Sequence, residues 1–317
     1  MATHNIKYAL SESADISSKP LIAAIGMFDG VHLGHQYVVN QLCDEAKKIN
    51  GEPVIITFAN HPLSIIRPER TPPLITDTEK RIDLLQKAGV KNIVILPFTE
   101  QLRQLSAYEF SNIILKESFG INYLLLGYDN GFGADKLKGV EVYRNLLRPL
   151  GITVLEGLPN PIVKVSSTMI RKAVANGEMD SARELLGRPF AISGTVIEGK
   201  QLGRKLGFPT ANLKIAENML IPKPGVYAGS YCSMPAMINI GKAPTVNKND
   251  NITPLIEAHI ITDKKDPEWM DLYGKSIEFD VLKRLRDEQQ FSGLSELREA
   301  LKKDYKETIS VFEEKHS

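Results

Sequence analysis

An α/β domain followed by an all-β domain is the architecture this chain predicts, on three observations. Through the first half, short β-branched runs alternate with amphipathic helical patterns, the signature of a parallel sheet covered by helices on both faces. From Phe190 onward the pattern changes to short alternating strands broken by glycine and proline turns, as in a small barrel, until a final amphipathic helix. At 317 residues the chain also exceeds what one core normally organises. The expected domains are residues 1–186 and 187–317.

Leu21-Ile22-Ala23-Ala24-Ile25-Gly26 is an apolar run ending in glycine, a buried strand entering a tight turn. Val38, Val39, Leu42 and Ala46 follow with helical spacing, so a helix begins near two histidines and fills residues 37–49. Further strands are expected at 53–58, 93–96, 123–127 and 152–155, with helices at 78–87, 107–117 and 140–150 between them. A short helix at 180–186, closed by Leu186-Gly187-Arg188-Pro189, ends the first domain. In the second, Leu297, Leu301, Tyr305, Ile309 and Phe312 share one side of a helix at 295–314.

Apolar content of 43% and charged content of 24% are those of an ordinary globular protein. A net charge of +1 gives no electrostatic reason for a nucleic acid or an anionic membrane as partner. Residues 1–20 hold no apolar leader core, and no run approaches the roughly eighteen residues needed to cross a bilayer. A cytoplasmic protein, monomeric or weakly self-associating, is expected. Cys43 and Cys232 fall in different expected domains and form no disulfide framework.

The stretch Gly26-Met27-Phe28-Asp29-Gly30-Val31-His32-Leu33-Gly34-His35-Gln36 outlines a phosphate site. A helix start offers free N–H groups and the positive end of its dipole, and glycines let a phosphate approach the backbone. His32 and His35 stand three residues apart, so both imidazoles can face one ligand from a helical first turn. One well-aimed hydrogen-bond donor to a charged transition state is worth roughly a hundred- to a thousandfold in rate. No third ligand stands at a usual zinc spacing. On these residues alone, a plain glycine turn with two surface histidines is an equal reading.

Two loops follow other strand ends, where ligands of parallel sheets bind: Phe58-Ala59-Asn60-His61-Pro62 and Gly127-Tyr128-Asp129-Asn130-Gly131-Phe132-Gly133. Read alone, each is a turn with a core aromatic. The hydroxyls of Val165-Ser166-Ser167-Thr168-Met169-Ile170-Arg171 form a helix cap, and with the guanidinium they equally suit a phosphate. Gly199, Gly203 and Gly207 lie within nine residues among Lys200, Arg204 and Lys205, a loop able to wrap a polyphosphate, although such a loop alone is more often a surface turn.

Together these strings resemble the bacterial bifunctional riboflavin kinase/FAD synthetase family, from about Pro20 to Asp304. The stretch 26–36 is similar to the HxGH nucleotidyltransferase signature, Phe58-x-x-His61-Pro62 and Ser166-Ser167-Thr168-x-Ile170-Arg171 to its later motifs, and Gly203-Arg204-x-Leu206-Gly207-Phe208-Pro209-Thr210-Ala211-Asn212 to riboflavin kinase. The resemblance implies a Rossmann-like nucleotidyltransferase domain and a β-barrel kinase domain. It implies ATP-dependent phosphorylation of riboflavin to FMN, and adenylylation of FMN to FAD with release of pyrophosphate. ATP is then co-substrate, and Mg2+ is held with the help of Thr210 and Asn212. His32, His35 and Arg171 take the catalytic roles in adenylylation and Glu257 that of base toward the riboflavin 5′-hydroxyl. Nucleotide contacts fall to Gly26, Phe28, Asp29, Gly30, Phe58, His61, Asp129, Ser166, Ser167 and Thr168, and in the kinase to Gly199, Gly203, Arg204, Gly207 and Pro209. Flavin contacts fall to Asn130, Phe132, Asn239, Glu288 and Arg286, the last as the arginine of a flavin-side helix.

Five features depart from the family pattern. Asn130 stands where a phenylalanine is usual and Gly131 where a larger residue is common, while Ala243 replaces a commonly basic position. The hairpin around Cys232 is short, and the connection at 263–269 is long and carries the only tryptophan, Trp269. Two narrower readings therefore stand beside the first: an FMN adenylyltransferase with an idle kinase half, and a non-catalytic flavin-binding regulatory protein.

Overall fold

The computed structural model describes residues 9–10, 19–127, 131–159, 164–199, 203, 206–241, 255–262 and 272–316. They form two compact units, Met1–Ser166 and Ser167–Ser317.

The first unit is built on a six-stranded sheet of order β1-β4-β3-β2-β5-β6, with β1 at Ala9–Leu10, β2 at Leu21–Ile25, β3 at Glu52–Phe58, β4 at Asn92–Leu96, β5 at Tyr123–Gly127 and β6 at Thr153–Gly157. Strands β2 to β6 pair in parallel, as expected. The two-residue edge strand β1 is antiparallel to β4 and has no sequence pattern to announce it. Strand order reverses at β2, so the crevice beyond the carboxyl ends of β2 and β5 is the topological switch point.

Helices α1 (Leu33–Lys48), α2 (Leu63–Ile66), α3 (Thr78–Lys87), α4 (Glu100–Gln104), α5 (Ala107–Phe110) and α6 (Val140–Leu147) complete the unit. Strand alternation sends Ile22, Ala24, Ile55 and Ile93 into one apolar layer with Val39, Leu42 and Leu85. Ala23, Val54, Ile56 and Val94 enter the opposite layer with Phe110, Ile114 and Leu147. Because both faces are covered, the strands read as continuous apolar runs. α1 starts four residues earlier than its apolar pattern suggests because His32 caps it. The helix expected at 107–117 opens on a Ser106/Glu109 capping box and passes into a π-helical stretch, Ser111–Ser118.

The second unit opens with α7 (Ser167–Asn176) and α8 (Met179–Leu186), so by compactness these helices group with the barrel rather than with the sheet. The closed barrel has order β10-β11-β8-β7-β12-β9, from β7 (Phe190–Ile197), β8 (Ala211–Lys214), β9 (Gly225–Tyr231), β10 (Met234–Gly241), β11 (Leu255–Ile260) and β12 (Ser276–Arg286). Val196, Leu213, Ile238, Ile256 and Ala258 form its buried face. The terminal helix α9 (Leu294–His316) packs on β9, β10 and β12. Arg286 ends strand β12 instead of sitting on a helix, and the next helix starts only at Leu294.

Two candidate active sites

At the carboxyl end of β2 the chain turns through Gly26 to Val31 and enters α1. His32 is buried, and its Nδ1 accepts the His35 backbone N–H at 3.2 Å, which leaves Nε2 to carry the proton in the neutral ring. His35 stacks on it with ring centroids 3.6 Å apart and planes 14° from parallel. The Phe28 ring lies 5.2 Å from that of His35, tilted by 58°. Burial first, then His32 and Arg81, hold the His35 pKa well below its ordinary 6.5. At neutral pH His35 is thus uncharged. Its Nδ1 is buried and has no hydrogen-bond partner among the described residues.

The second nucleotidyltransferase stretch reaches this turn at one point. A Cβ at Gly34 would stand 3.2 Å from the His32 ring and 3.6 Å from the Val165 carbonyl, so glycine lets the chain leading to Ser166 pass close to the start of α1 beside His32. Ser167, Thr168 and Arg171 form the first turns of α7, in the second unit.

Other residues expected at the nucleotide build the turn itself. The buried Asp29 carboxylate accepts the N–H groups of Ile75 and Thr76 at 3.0 and 3.1 Å, and Gly30 N–H donates to Thr76 Oγ1 at 3.0 Å. Phe28 is buried over Gly26. Phe58 meets Phe98 edge-on at 5.4 Å, and His61 Nδ1 accepts the Leu63 N–H at 3.1 Å at the start of α2. Phe132 packs on Phe110 and Tyr143 at 5.1 and 4.9 Å, which makes it part of the core. Asp129, Asn130 and Arg204 lie outside the described residues, as does Ala243.

In the second unit a cavity of about 400 Å3 lies between the outward face of β8, β10 and β11 and the residues Leu297, Leu301 and Asp304 of α9. Glu257 stands in register with Asn212 on β8 and with Asn239 on β10, so three polar side chains cross the cavity wall in one row. Gly199 is required for this row: a Cβ there would lie 2.0 Å from Asn212 Nδ2. Thr210 lines the same wall. Two residues beyond Glu257, His259 Nδ1 lies 2.7 Å from the Pro209 carbonyl, and its ring meets Phe208 edge-on at 5.5 Å. Burial lowers the His259 pKa, so the neutral ring donates from Nδ1 to that carbonyl. The loop from Gly203 is closed by Phe208 N–H donating to the Gly203 carbonyl at 2.9 Å, with Gly207 at φ +87 between them.

A family model described as FAD synthetase matches residues 15–169, and one described as riboflavin kinase matches residues 186–312. A bifunctional riboflavin kinase/FMN adenylyltransferase of Buchnera aphidicola subsp. Schizaphis graminum is 33% identical over 309 residues, covering 95% of this chain and 94% of the relative. Proteins of the same description from Escherichia coli K12 and Bacillus subtilis 168 are each 32% identical, covering 95% and 92% of this chain and 93% and 92% of their own. This chain belongs to that bifunctional family. A solved structure described as a macrolide-efflux protein from Streptococcus pneumoniae is also similar, at 29% identity and a TM-score of 0.78, with 92% of this chain and 94% of that one covered.

Within the family's kinase half, Arg286 lines the same cavity as Asn239 and Glu257. Arg286 grips Asp304 through Nε–Oδ1 at 2.9 Å and Nη2–Oδ2 at 2.7 Å, donates from Nη1 to the Asp287 carbonyl at 3.0 Å, and lies 5.8 Å from the centre of the Phe291 ring. It therefore ties α9 to the barrel at the cavity. Glu288 is exposed at the rim, beside Gly241. Sequence reasoning missed Asp304 and Arg81. The signal for Asp304 was present: a carboxylate three residues after Leu301, on the apolar side of the helix. Arg81 carried none.

Proposed function

We propose that this chain makes FAD in two ATP-dependent steps, riboflavin phosphorylation at the barrel and FMN adenylylation at the sheet, with the functional boundary after Leu186. In the second step the FMN phosphate attacks the α-phosphorus of ATP and pyrophosphate leaves. That reaction needs position and charge stabilisation more than covalent help. His32 donates from Nε2 while its cap bond holds the ring, and His35, stacked on that ring in the same turn, acts with it on the nucleotide. Ser166, Ser167, Thr168 and Arg171 receive the leaving pyrophosphate; the helix start of α7 and the family motif support this.

At the barrel, Glu257 takes the proton of the riboflavin 5′-hydroxyl as that oxygen attacks the γ-phosphorus of ATP. Thr210 and Asn212 offer hard, neutral oxygens that fit Mg2+, a cation that keeps water and phosphate oxygens as its other ligands. Bound there, magnesium neutralises phosphate charge. Gly199, Gly203, Arg204, Gly207 and Pro209 form the polyphosphate loop, and Asn239, Arg286 and Glu288 flank the flavin in a cavity of ordinary ligand-site size. Asp129 and Asn130 keep the roles their motif implies. The partners are riboflavin, FMN and ATP, in the cytoplasm, for a monomer or weak homo-oligomer, without nucleic acid or membrane; a net charge of +1, which gives no electrostatic pull toward either polyanion, supports the last point.

The row Asn239–Glu257–Asn212 along the cavity carries this reading, because catalytic groups are kept in the half whose loss the narrower readings require. Product chromatography after incubation with ATP and Mg2+ tests it. Riboflavin should give FMN and then FAD. FAD from supplied FMN alone would mark the kinase half as idle, and no product from either flavin would leave a flavin-binding protein.

A further inference from the structure

Arg81, on α3, is 0% exposed and belongs to none of the motifs that carry the chemistry. A guanidinium remains charged in a protein, and burying it is tolerated only where its donors find acceptors. Nη1 donates to the Met27 carbonyl at 3.1 Å, and Nη2 donates to the Phe58 carbonyl at 2.6 Å and to Thr78 Oγ1 at 3.3 Å. Nη1 also approaches Met27 Sδ at 3.6 Å, while Nε has no partner among the described residues. All four acceptors are neutral, so the guanidinium clamps the two backbone carbonyls by hydrogen bonds and not through an ion pair. Ile25 and Ile56 are register partners on β2 and β3, which puts Met27 and Phe58 two residues beyond the same rung. One side chain thus joins the two loops that lead to His32 and His35 and to His61.

The turn beyond Met27 needs such a hold. Phe28 and Val31 are L-residues at φ +49 and +39, a strain that persists only where the surroundings over-determine the backbone. Thr57 Oγ1 donates to the same Met27 carbonyl at 3.0 Å, and Phe28 passes the position on by packing against His35. We propose that Arg81 is a positioning residue of the adenylyl-transfer site, locking the Met27 and Phe58 carbonyls together so that His32 and His35 meet the phosphates in one geometry. This rests on the adenylyltransferase reading above. Lysine keeps the charge but lacks the planar fork that spans two carbonyls.

The test measures FAD formation from FMN and ATP by wild type, R81K, R81M and T57V, with riboflavin phosphorylation followed on the same preparations. Misplacing reacting groups by about an ångström loses on the order of a hundredfold in rate. R81K and R81M should each lose about ten- to a hundredfold in kcat, with KM for ATP little changed and the kinase reaction intact. R81K at wild-type kcat, or losses that vanish once rates are expressed per folded molecule, would overturn the proposal. Where the Arg81 variants do not fold, the milder T57V decides: a lower kcat at constant KM supports the clamp, and wild-type kcat overturns it. A wild type that makes no FAD from FMN would remove the adenylyltransferase reading itself, whereas an active wild type with unaffected variants removes only the role of Arg81.

Discussion

The two sites are made in opposite ways. At the barrel, the proposed groups are side chains on regular strands: Glu257, Asn212 and Asn239 share a row because cross-strand register puts them there. At the sheet, the proposed groups follow a strained turn, held by its own Asp29 on Ile75 and Thr76 and from outside by Arg81 on Met27 and Phe58. A side-chain row fails when one member is changed. A braced turn also fails when a distant brace is changed, and such residues carry no motif.

The sharpest break of this comparison is Glu257→Gln. General base catalysis contributes about a hundred- to ten-thousandfold, so FMN formation should fall by that order while FAD formation from supplied FMN persists, read from initial rates with each flavin. His32→Ala with His35→Ala should do the reverse, lowering FAD formation roughly a hundred- to a thousandfold per lost donor and leaving riboflavin phosphorylation in place. Retention of FAD synthesis in that double variant would remove the histidines from the chemistry.

A smaller effect is expected from Asp304→Asn. The Asp304 side chain is 3% exposed and that of Arg286 21%, so breaking their fork unpairs a buried partner while solvent still screens the arginine. A loss of about 1–3 kcal/mol in stability of the second unit is expected, together with weaker riboflavin binding. Denaturant unfolding and flavin titration check both, and a variant with unchanged binding would detach the fork from the cavity.

The smallest effect is in pH. Burial, His32 and Arg81 depress the His35 pKa in the folded state below the 6.5 of the free group. The unfolded chain therefore binds the extra proton first, and stability is lost as pH falls from about 6.5 toward the depressed folded value. His35→Gln should flatten that part of the stability curve, measured by unfolding midpoints across the window.

Much of this was legible before any coordinates. The parallel strands are visible because burial on both faces leaves continuous apolar runs, and Glu257 and His259 share a face because strand alternation has a fixed period of two. The start of α1 was misplaced because its cap is a histidine, a residue outside the usual capping set. Asp29 and Phe132 stand out by motif position, but their contacts within the fold, Asp29 with the backbone N–H groups of Ile75 and Thr76 and Phe132 with the rings of Phe110 and Tyr143, carry no sequence signal. Gly131 looked like a lost side chain. A Cβ there would stand 2.3 Å from the Leu137 carbonyl and 3.1 Å from the Tyr143 hydroxyl, so the backbone at Gly131 lies too close to its neighbours for a side chain. Arg81 was invisible because a helical arginine normally reads as solvated, and only tertiary contact reveals two carbonyls waiting for it.

The central claim is that two separate chemistries share one chain, and mixing two variants tests it most directly. Glu257→Gln alone and His32→Ala/His35→Ala alone, each given riboflavin, ATP and Mg2+, should make almost no FAD. An equimolar mixture should restore it, because FMN released by the second protein is adenylylated by the first. No FAD from the mixture, with both proteins folded, would contradict the account and point to one combined site.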